Sequence, residues 1–541
     1  MKKLLLITFF MLIAFTGFSQ TAITATIAYQ GYDETQAHLG QAEYQVFMDT
    51  TDGVLDKPII LIDGFDPSDS RDIAGMYTLL DYNGNNIADQ LRAEGFDFVF
   101  VNFPTYTRAS DQVEVNGGGD YIQRNAMVLV EILNQINAQK TGSEELVIIG
   151  PSMGGLVSRY ALRYMEQNSI AHQTRLFVSW DTPHKGANIP IEFQYLLNYF
   201  AEVNGGNADL QASIATSINS PASKEMLIDH YTAHLQNGST YQQDSNLLLP
   251  IGAANFRDAF QAEIDAMGFP QQTRNISITN GSGIGATSGT PGMEILNHTF
   301  DVPNVSNTTA EIVLHFAPAA NQNIEVTKVI TRYFSFQIAS FYADAQSFSY
   351  TDGLDSAPGG KQDMAAFLQG SQNALVTELL ANLQQSEFCF IPTVSAMAIS
   401  NENNWYANIN IPNTHTTEFD AWYIPDANEL HVTPTQANVD FVLPEIRNSV
   451  ASVSNTILNK KYVLKSNPIT TELVVLLDNN FNYPKIELSI YNINGQQLIQ
   501  KTFINTTSNL SFPIQLENGI YFLKIKDNQN YFVKKIIVNQ Q

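Results

Sequence analysis

Polar and apolar positions alternate with changing period along this 541-residue chain. Four short runs are almost wholly apolar: residues 58–62, 98–101, 146–149 and 175–180. The first ends in Asp63-Gly64, the third in Gly150. Continuous apolar runs of this length suit strands buried on both faces of a parallel sheet. Between the second and third, Ile122, Ala126, Leu129, Leu133 and Ile136 recur at helical spacing. Strands alternating with helices predict a doubly wound, mostly parallel α/β sheet.

The pattern changes at about residue 190. Phe193, Leu196, Leu197 and Phe200 fall at helical spacing, with further helical stretches around 226–228 and 256–267 and no clear strand between. Residues 190–272 therefore predict a helical cap over the C-terminal edge of the sheet, where ligands bind in such folds. Residues 290–350 hold alternating β-branched and aromatic positions, as in 311–316 and 324–330, and predict an antiparallel β insertion. A loop at 352–360, a helix at 362–385, a strand at 388–392 and a last helix at 434–446 follow. From 459 onward the chain carries nine Lys against five acidic residues, and turns such as Asn494-Gly495 and Asn518-Gly519 separate short strands. That tail predicts a small all-β sandwich.

The ends and the charge narrow the class. Lys2 and Lys3 precede an apolar run at 4–15 and a small, polar stretch to Gln20, the pattern of a signal peptide. The run is shorter than the roughly 20 residues a membrane span needs, and no other stretch is long and apolar enough to make one. The expected division is a signal peptide at 1–20, a main domain at 21–450, a linker at 451–461 and the tail domain at 462–541. A formal charge of −25 argues against nucleic-acid binding. Cys389 is the single cysteine, so no intrachain disulfide is possible. No phosphate loop, dinucleotide fingerprint or zinc-ligand spacing occurs, so no organic cofactor is implied; calcium stays open for an acidic exported protein.

Chemistry concentrates at Gly150-Pro151-Ser152-Met153-Gly154, between an apolar strand and a helix beginning near 156. Glycines flanking a serine on a sharp strand-to-helix turn let the two elements approach and thrust the hydroxyl out at the sheet edge. Ser152 is thus the expected nucleophile. An oxyanion hole needs two backbone N–H groups. Met153 follows the nucleophile, and Phe65 lies in the loop after the first apolar strand. In this arrangement the acid and then the histidine follow the serine. Of nine histidines, His415 and His431 lie beyond an acid loop near 352. His431 directly precedes the last helix and is the expected base. His415 sits in a polar loop and is expected to be solvated, and His184 is read as structural or lining the site. Asp352, Asp355 and Asp420 are the candidate acids.

Several stretches carry a family resemblance. Gly64-Phe65-Asp66-Pro67, Ser152-Met153-Gly154-Gly155, Asp181-Thr182-Pro183-His184-Lys185-Gly186, Asp355-x-Ala357-Pro358-Gly359-Gly360 and Asn428-x-x-His431 resemble Bacteroidetes lipase-like α/β-hydrolases over most of residues 55–445. The Thr-Pro-His run is also similar to bacterial and eukaryotic lipases and to inositol deacylases. The resemblance implies an α/β-hydrolase fold and cleavage of carboxylic esters by a Ser-His-Asp triad. In bacterial lipases an Asp-Gly-Leu stretch carries the acid, which points to Asp352; the Asp-x-Ala-Pro-Gly-Gly pattern points to Asp355, taken here as the acid. Asp63-Gly64 stands where many lipases have His-Gly, which leaves the substrate class open. A peptidase or sugar deacetylase would use the same triad, and a binding protein could keep the fold without catalysis. The tail resembles the type IX secretion C-terminal sorting domain in Ser466-Asn467-Pro468, residues 490–495 and 516–522, and Lys534-Lys535-Ile536. That resemblance implies export through the periplasm and outer membrane, to the cell surface or beyond, with the secretion machinery as partner.

Overall fold

The computed structural model describes residues 20–302, 305–367 and 374–447, and in the tail 462–465, 469–477, 483–492, 496–506, 509–527 and 531–539. The expected signal peptide (Gln20 apart), the linker, Ser466-Asn467-Pro468 and the Asn494-Gly495 turn lie outside these residues.

Eight strands form the central sheet: β1 (Thr21–Thr24), β2 (Gln41–Phe47), β3 (Pro58–Ile62), β4 (Asp97–Asn102), β5 (Leu146–Pro151), β6 (Thr174–Trp180), β7 (Arg274–Ile278) and β8 (Ala421–Tyr423). Their order is β1-β2-β4-β3-β5-β6-β7-β8. β2 runs antiparallel to β1 and β4; the other pairs are parallel. The four apolar runs are β3 to β6, each buried along its whole length. Alternate side chains serve opposite layers, as the two-residue period of a strand requires. Ile60, Ile62, Val99, Val101, Ile148 and Phe177 pack with helices α3 (Ile122–Gln139) and α4 (Met153–Gln167). Ile59, Leu61, Phe98, Phe100, Val147, Ile149 and Val178 pack with α1 (Ile73–Thr78), α2 (Ile87–Ala93) and the final helix at Gln436–Arg447.

Between β6 and β7 lie α5 (Ile191–Glu202), α6 (Ala208–Thr216), α7 (Pro221–Met226) and α8 (Arg257–Met267). Four strands between β7 and β8, joined by Leu248–Leu249 from the segment before β7, make a five-stranded sheet in the order Leu248–Leu249, Phe336–Ser347, Asn323–Tyr333, Thr308–His315, Glu294–Asp301. The strand expected at 388–392 is present as Glu387–Pro392, but it is not in the central sheet. It pairs antiparallel with Gly359–Asp363, a segment expected as loop and helix start. The last sheet strand is instead the three-residue β8, which the pattern gave no reason to expect. In the tail, strands Tyr462–Leu464, Glu472–Leu477 and Leu510–Pro513 form one antiparallel sheet. Four longer strands from Tyr483 to Val538 form a second, and the two share an apolar core of Leu473, Val475, Ile486, Leu488, Leu523 and Ile536.

Candidate active site

Ser152 joins β5 to α4 with φ 52° and ψ −131°. A non-glycine residue in that region is strained, and such strain collects at functional turns. The packing around it accounts for the glycines. A Cβ on Gly150 would stand 2.6 Å from the Gly155 Cα, and one on Gly154 would stand 2.8 Å from the Ile62 and Asp63 carbonyl oxygens. The elbow therefore fits directly against the end of β3. Its backbone is pinned on the other side too, because the Ser152 N–H donates to the Trp180 carbonyl at 2.9 Å.

The loop after β3 lies over the serine, close enough that a Cβ on Gly64 would stand 3.2 Å from the Ser152 Cβ. Asp63 Oδ1 accepts from the Gly64 N–H at 2.8 Å and from Arg71 Nε at 2.8 Å. Asp66 Oδ2 accepts from the Arg71 N–H at 2.7 Å. These bonds clasp residues 63–71 into one shape. Among the described residues neither the Phe65 nor the Met153 N–H has an intramolecular acceptor. Met153 opens α4, where the first N–H groups lack helical partners. Burial pushes the Asp63 carboxyl up to about 6, against the lowering pull of Arg71.

His431 is fixed by its backbone and its ring. Its N–H donates to the Lys361 carbonyl at 2.8 Å, and the ring stands edge-on to Phe390 at 4.9 Å. Its Nδ1 lies 2.7 Å from Asp181 Oδ2, while Nε2 has no protein partner. Asp181 is fully buried at the end of β6. Its other oxygen accepts from Thr279 Oγ1 at 3.2 Å and from the Asn280 N–H at 3.1 Å. The strand register explains the meeting: Trp180 pairs with Pro151 on one side and Ile278 on the other. The next residue of each strand thus leaves the sheet at one edge, with Asp181 beside Ser152. Asn280 links the acid to the histidine loop, accepting from the Val432 N–H at 3.0 Å and donating to the Thr433 carbonyl at 3.2 Å and Glu429 Oε2 at 2.9 Å. Asp181 has φ 46° and Val432 φ 56°, so two further strained residues flank the imidazole.

The aspartates expected as acids lie elsewhere. Asp355 is buried with Oδ1 on Asn188 Nδ2 at 3.0 Å and Oδ2 on the Ala317 N–H at 2.7 Å. Burial pushes its carboxyl up to about 6 and holds the neighbouring Glu192 well above the carboxylate range. Asp352 accepts from the Ala320 N–H and Asp420 from the Asn275 N–H. All three hold backbone of the insertion or of β7, and the carboxylate on His431 is that of Asp181. The acid expected at Asp355 is corrected accordingly. Its loop turns inward under the β insertion, whereas Asp181 is delivered to the serine by the neighbouring strand. His184 is buried against Ser179 Oγ at 2.8 Å. His415, expected in solvent, is buried and accepts from the Asn410 N–H at 3.0 Å.

Ser152, Phe65 and His431 line one cavity of about 910 Å³. Phe193 and Leu197 of α5, Leu210 and Ile214 of α6, and Phe390 give it an apolar lining, with Ser213, Thr216 and Ser217 beside them. Among the described residues no group of three or more His, Cys, Asp or Glu could hold a metal ion.

Comparison with known families bears on this geometry. Residues 54–244 match the PGAP1-like alpha/beta domain, and residues 467–539 match the secretion system C-terminal sorting domain. The chain carries a PGAP1-like α/β-hydrolase domain and a type IX sorting tail. The sorting domain marks it for export to the cell surface or the medium. No helix of the described residues is long and apolar enough to cross a membrane. No curated protein sequence matches the chain. Similar solved structures include Est1E from Butyrivibrio proteoclasticus, 10% identical with TM-score 0.23, covering 44% of this chain and 73% of that one. The peroxisomal α/β-hydrolase Lpx1 from Saccharomyces cerevisiae is 12% identical with TM-score 0.26, covering 49% and 75%. Latent PorU from Porphyromonas gingivalis is 14% identical with TM-score 0.12, covering 15% of this chain and 9% of its own.

Proposed function

We propose that the chain is an exported serine hydrolase that cleaves carboxylic esters of apolar acyl groups, with Ser152, His431 and Asp181 as its triad. The division into a hydrolase domain at about 21–450 and a sorting domain at 462–541 belongs to the same reading. One observation carries it: the imidazole held at Nδ1 by a buried carboxylate, with Nε2 unpartnered, lines the same cavity as a serine on a strained elbow. In that arrangement Asp181 takes the Nδ1–H, which leaves the Nε2 lone pair to accept the Ser152 proton. Serine attacks the ester carbonyl, and the oxyanion forms against the Phe65 and Met153 N–H groups. His431 returns the proton to the leaving alcohol, then activates the water that hydrolyses the acyl-enzyme. The apolar lining from α5 and α6 supports an acyl chain as the group held there, and about 910 Å³ is at the upper end of ligand-cavity sizes.

The test is turnover on a series of p-nitrophenyl esters of increasing chain length, with Ser152→Ala alongside. The expected outcome is hydrolysis that favours medium or long chains and falls by several powers of ten in the variant. Equal turnover by Ser152→Ala would remove the proposal, and activity confined to acetyl esters or amides would redirect it to another acyl hydrolase.

A further inference from the structure

The β insertion ends in a hairpin whose tip is unusual for an exported, acidic protein. Strands Asn323–Tyr333 and Phe336–Ser347 are joined by only two residues, Phe334 and Ser335. Tyr333 is 46% exposed, Phe334 60%, Phe336 74% and Ile338 61%. Four large apolar side chains within six consecutive residues are thus presented to solvent. From Tyr333 to Tyr342 the sequence holds no charged residue. The flanking cations are already engaged, since Arg332 and Lys328 both pair with Glu311.

Phe334 sharpens the observation. It has φ 51°, a conformation that short hairpin turns normally give to Gly or Asn. Its N–H donates to the Asn307 carbonyl at 2.7 Å, so the turn is braced from outside the hairpin. A bulky aromatic is held there against its backbone preference. At its base the hairpin is firmly seated: Phe341 is buried and stacks on Tyr199 of α5 at 4.5 Å. Helix α5 supplies Phe193 and Leu197 to the cavity wall, so the finger and that wall are parts of one packed unit.

We propose that this fingertip is a lipid-anchoring wedge that inserts Phe334, Phe336 and Ile338 into an electrically neutral lipid surface, with Tyr333 at the headgroup level. Three features favour a lipid surface over a protein. The four side chains expose on the order of 400 Å² together, about half the ~800 Å² per partner that a stable protein interface buries. The tip is a narrow convex turn rather than a face. An aromatic flank with an apolar apex is the composition that settles at a membrane–water boundary. Charge selects the kind of lipid. The chain carries a net −25 and the tip offers no free cation, so nothing draws it to an anionic membrane.

The inference stands apart from the catalytic proposal and is tested without it. The full exported chain is mixed with phosphatidylcholine vesicles, with vesicles containing phosphatidylserine, and with a triacylglycerol emulsion, then separated by flotation. The expected result is binding to the phosphatidylcholine vesicles and the emulsion that changes little with salt. The triple variant Phe334→Ser/Phe336→Ser/Ile338→Ser should partition roughly a hundredfold less, with unchanged melting temperature and unchanged turnover of a water-soluble short-chain ester. The single variant Ile338→Ser, which leaves the turn intact, should give a smaller loss in the same direction. Absence of binding by the unaltered chain overturns the proposal, as does equal binding by both variants. Binding only to phosphatidylserine that salt abolishes overturns it in favour of charge. A dimer that the triple variant converts to monomer, without lipid binding, overturns it in favour of a second copy of the chain.

Discussion

Replacing Asp181 with Asn tests the assignment of the acid, and its cost can be worked from the contacts. Asp181 Oδ2 accepts from His431 Nδ1 at 2.7 Å while Oδ1 accepts from Thr279 and the Asn280 N–H. An asparagine must keep its oxygen toward those two donors, so its NH₂ faces Nδ1. The imidazole then carries its proton on Nε2, the nitrogen that should take the serine proton. Stabilisation of the imidazolium is lost as well; a full charge about 4 Å away, at the effective dielectric of 20 suited to such pairs, is worth ~4 kcal/mol. That is about 10³-fold in kcat, and the wrong tautomer brings the expected loss to between 10³ and 10⁴. KM should change little, because Asp181 is fully buried. The assay is steady-state hydrolysis of the best ester in the series, with Asp355→Asn as the comparison. Asp355→Asn should keep kcat within about threefold and instead lower stability by ~1–3 kcal/mol, since a buried acceptor for Asn188 or Ala317 is lost. If Asp355→Asn abolishes turnover while Asp181→Asn retains it, the reasoning from contact geometry is wrong.

Other outcomes follow from the same contacts. Asn280→Ala frees the Val432–Thr433 backbone and removes the tie between acid and histidine loop. It should lower kcat about 10- to 100-fold at nearly constant KM, read from initial rates. Gly360→Ala places a Cβ against the Asp181 carboxylate and should slow fluorophosphonate labelling far more than it lowers the melting temperature. Asp355, held at about 6 by burial, binds its proton more tightly folded than unfolded. Stability from that group is therefore full below about pH 4 and lost as pH rises through about 6. The unfolding free energy of the unaltered chain minus that of Asp355→Asn should rise by up to about 3 kcal/mol between pH 7 and pH 4, measured by urea denaturation.

The legible parts of this molecule are those with a strong local signal. Four strands buried on both faces announced themselves as apolar runs, and the glycines around Ser152 marked an elbow because the turn has no room for side chains. Phe65 and Met153 follow from where an oxyanion hole needs its N–H groups, and His431 from chain order; Phe65 and His431 line the cavity that holds Ser152, and Met153 is the next residue in the chain. Asp181 is not among the candidate acids that the sequence offers, although it opens the Asp181-Thr182-Pro183-His184 run. Its signal was positional: the first residue after the apolar strand that follows the nucleophile's strand, hence adjacent to it at the sheet edge. The Asp-x-Ala-Pro-Gly-Gly pattern points to Asp355 instead, but the insertion at 294–347 buries that loop against its own backbone. Two further elements carry no period that could be read. Gly359–Asp363 is a strand only because Glu387–Pro392 pairs with it, and β8 is three residues long.

The central claim is that Ser152, activated by His431 and Asp181, forms a covalent acyl-enzyme. The most direct measurement is peptide mass spectrometry after brief exposure of the folded chain to a fluorophosphonate. The account predicts one adduct, on the peptide containing Ser152, absent in Ser152→Ala and formed at least 10³-fold more slowly in His431→Ala and Asp181→Asn. An adduct on another serine, or labelling of Ser152 that proceeds at the same rate without His431 and Asp181, would contradict it.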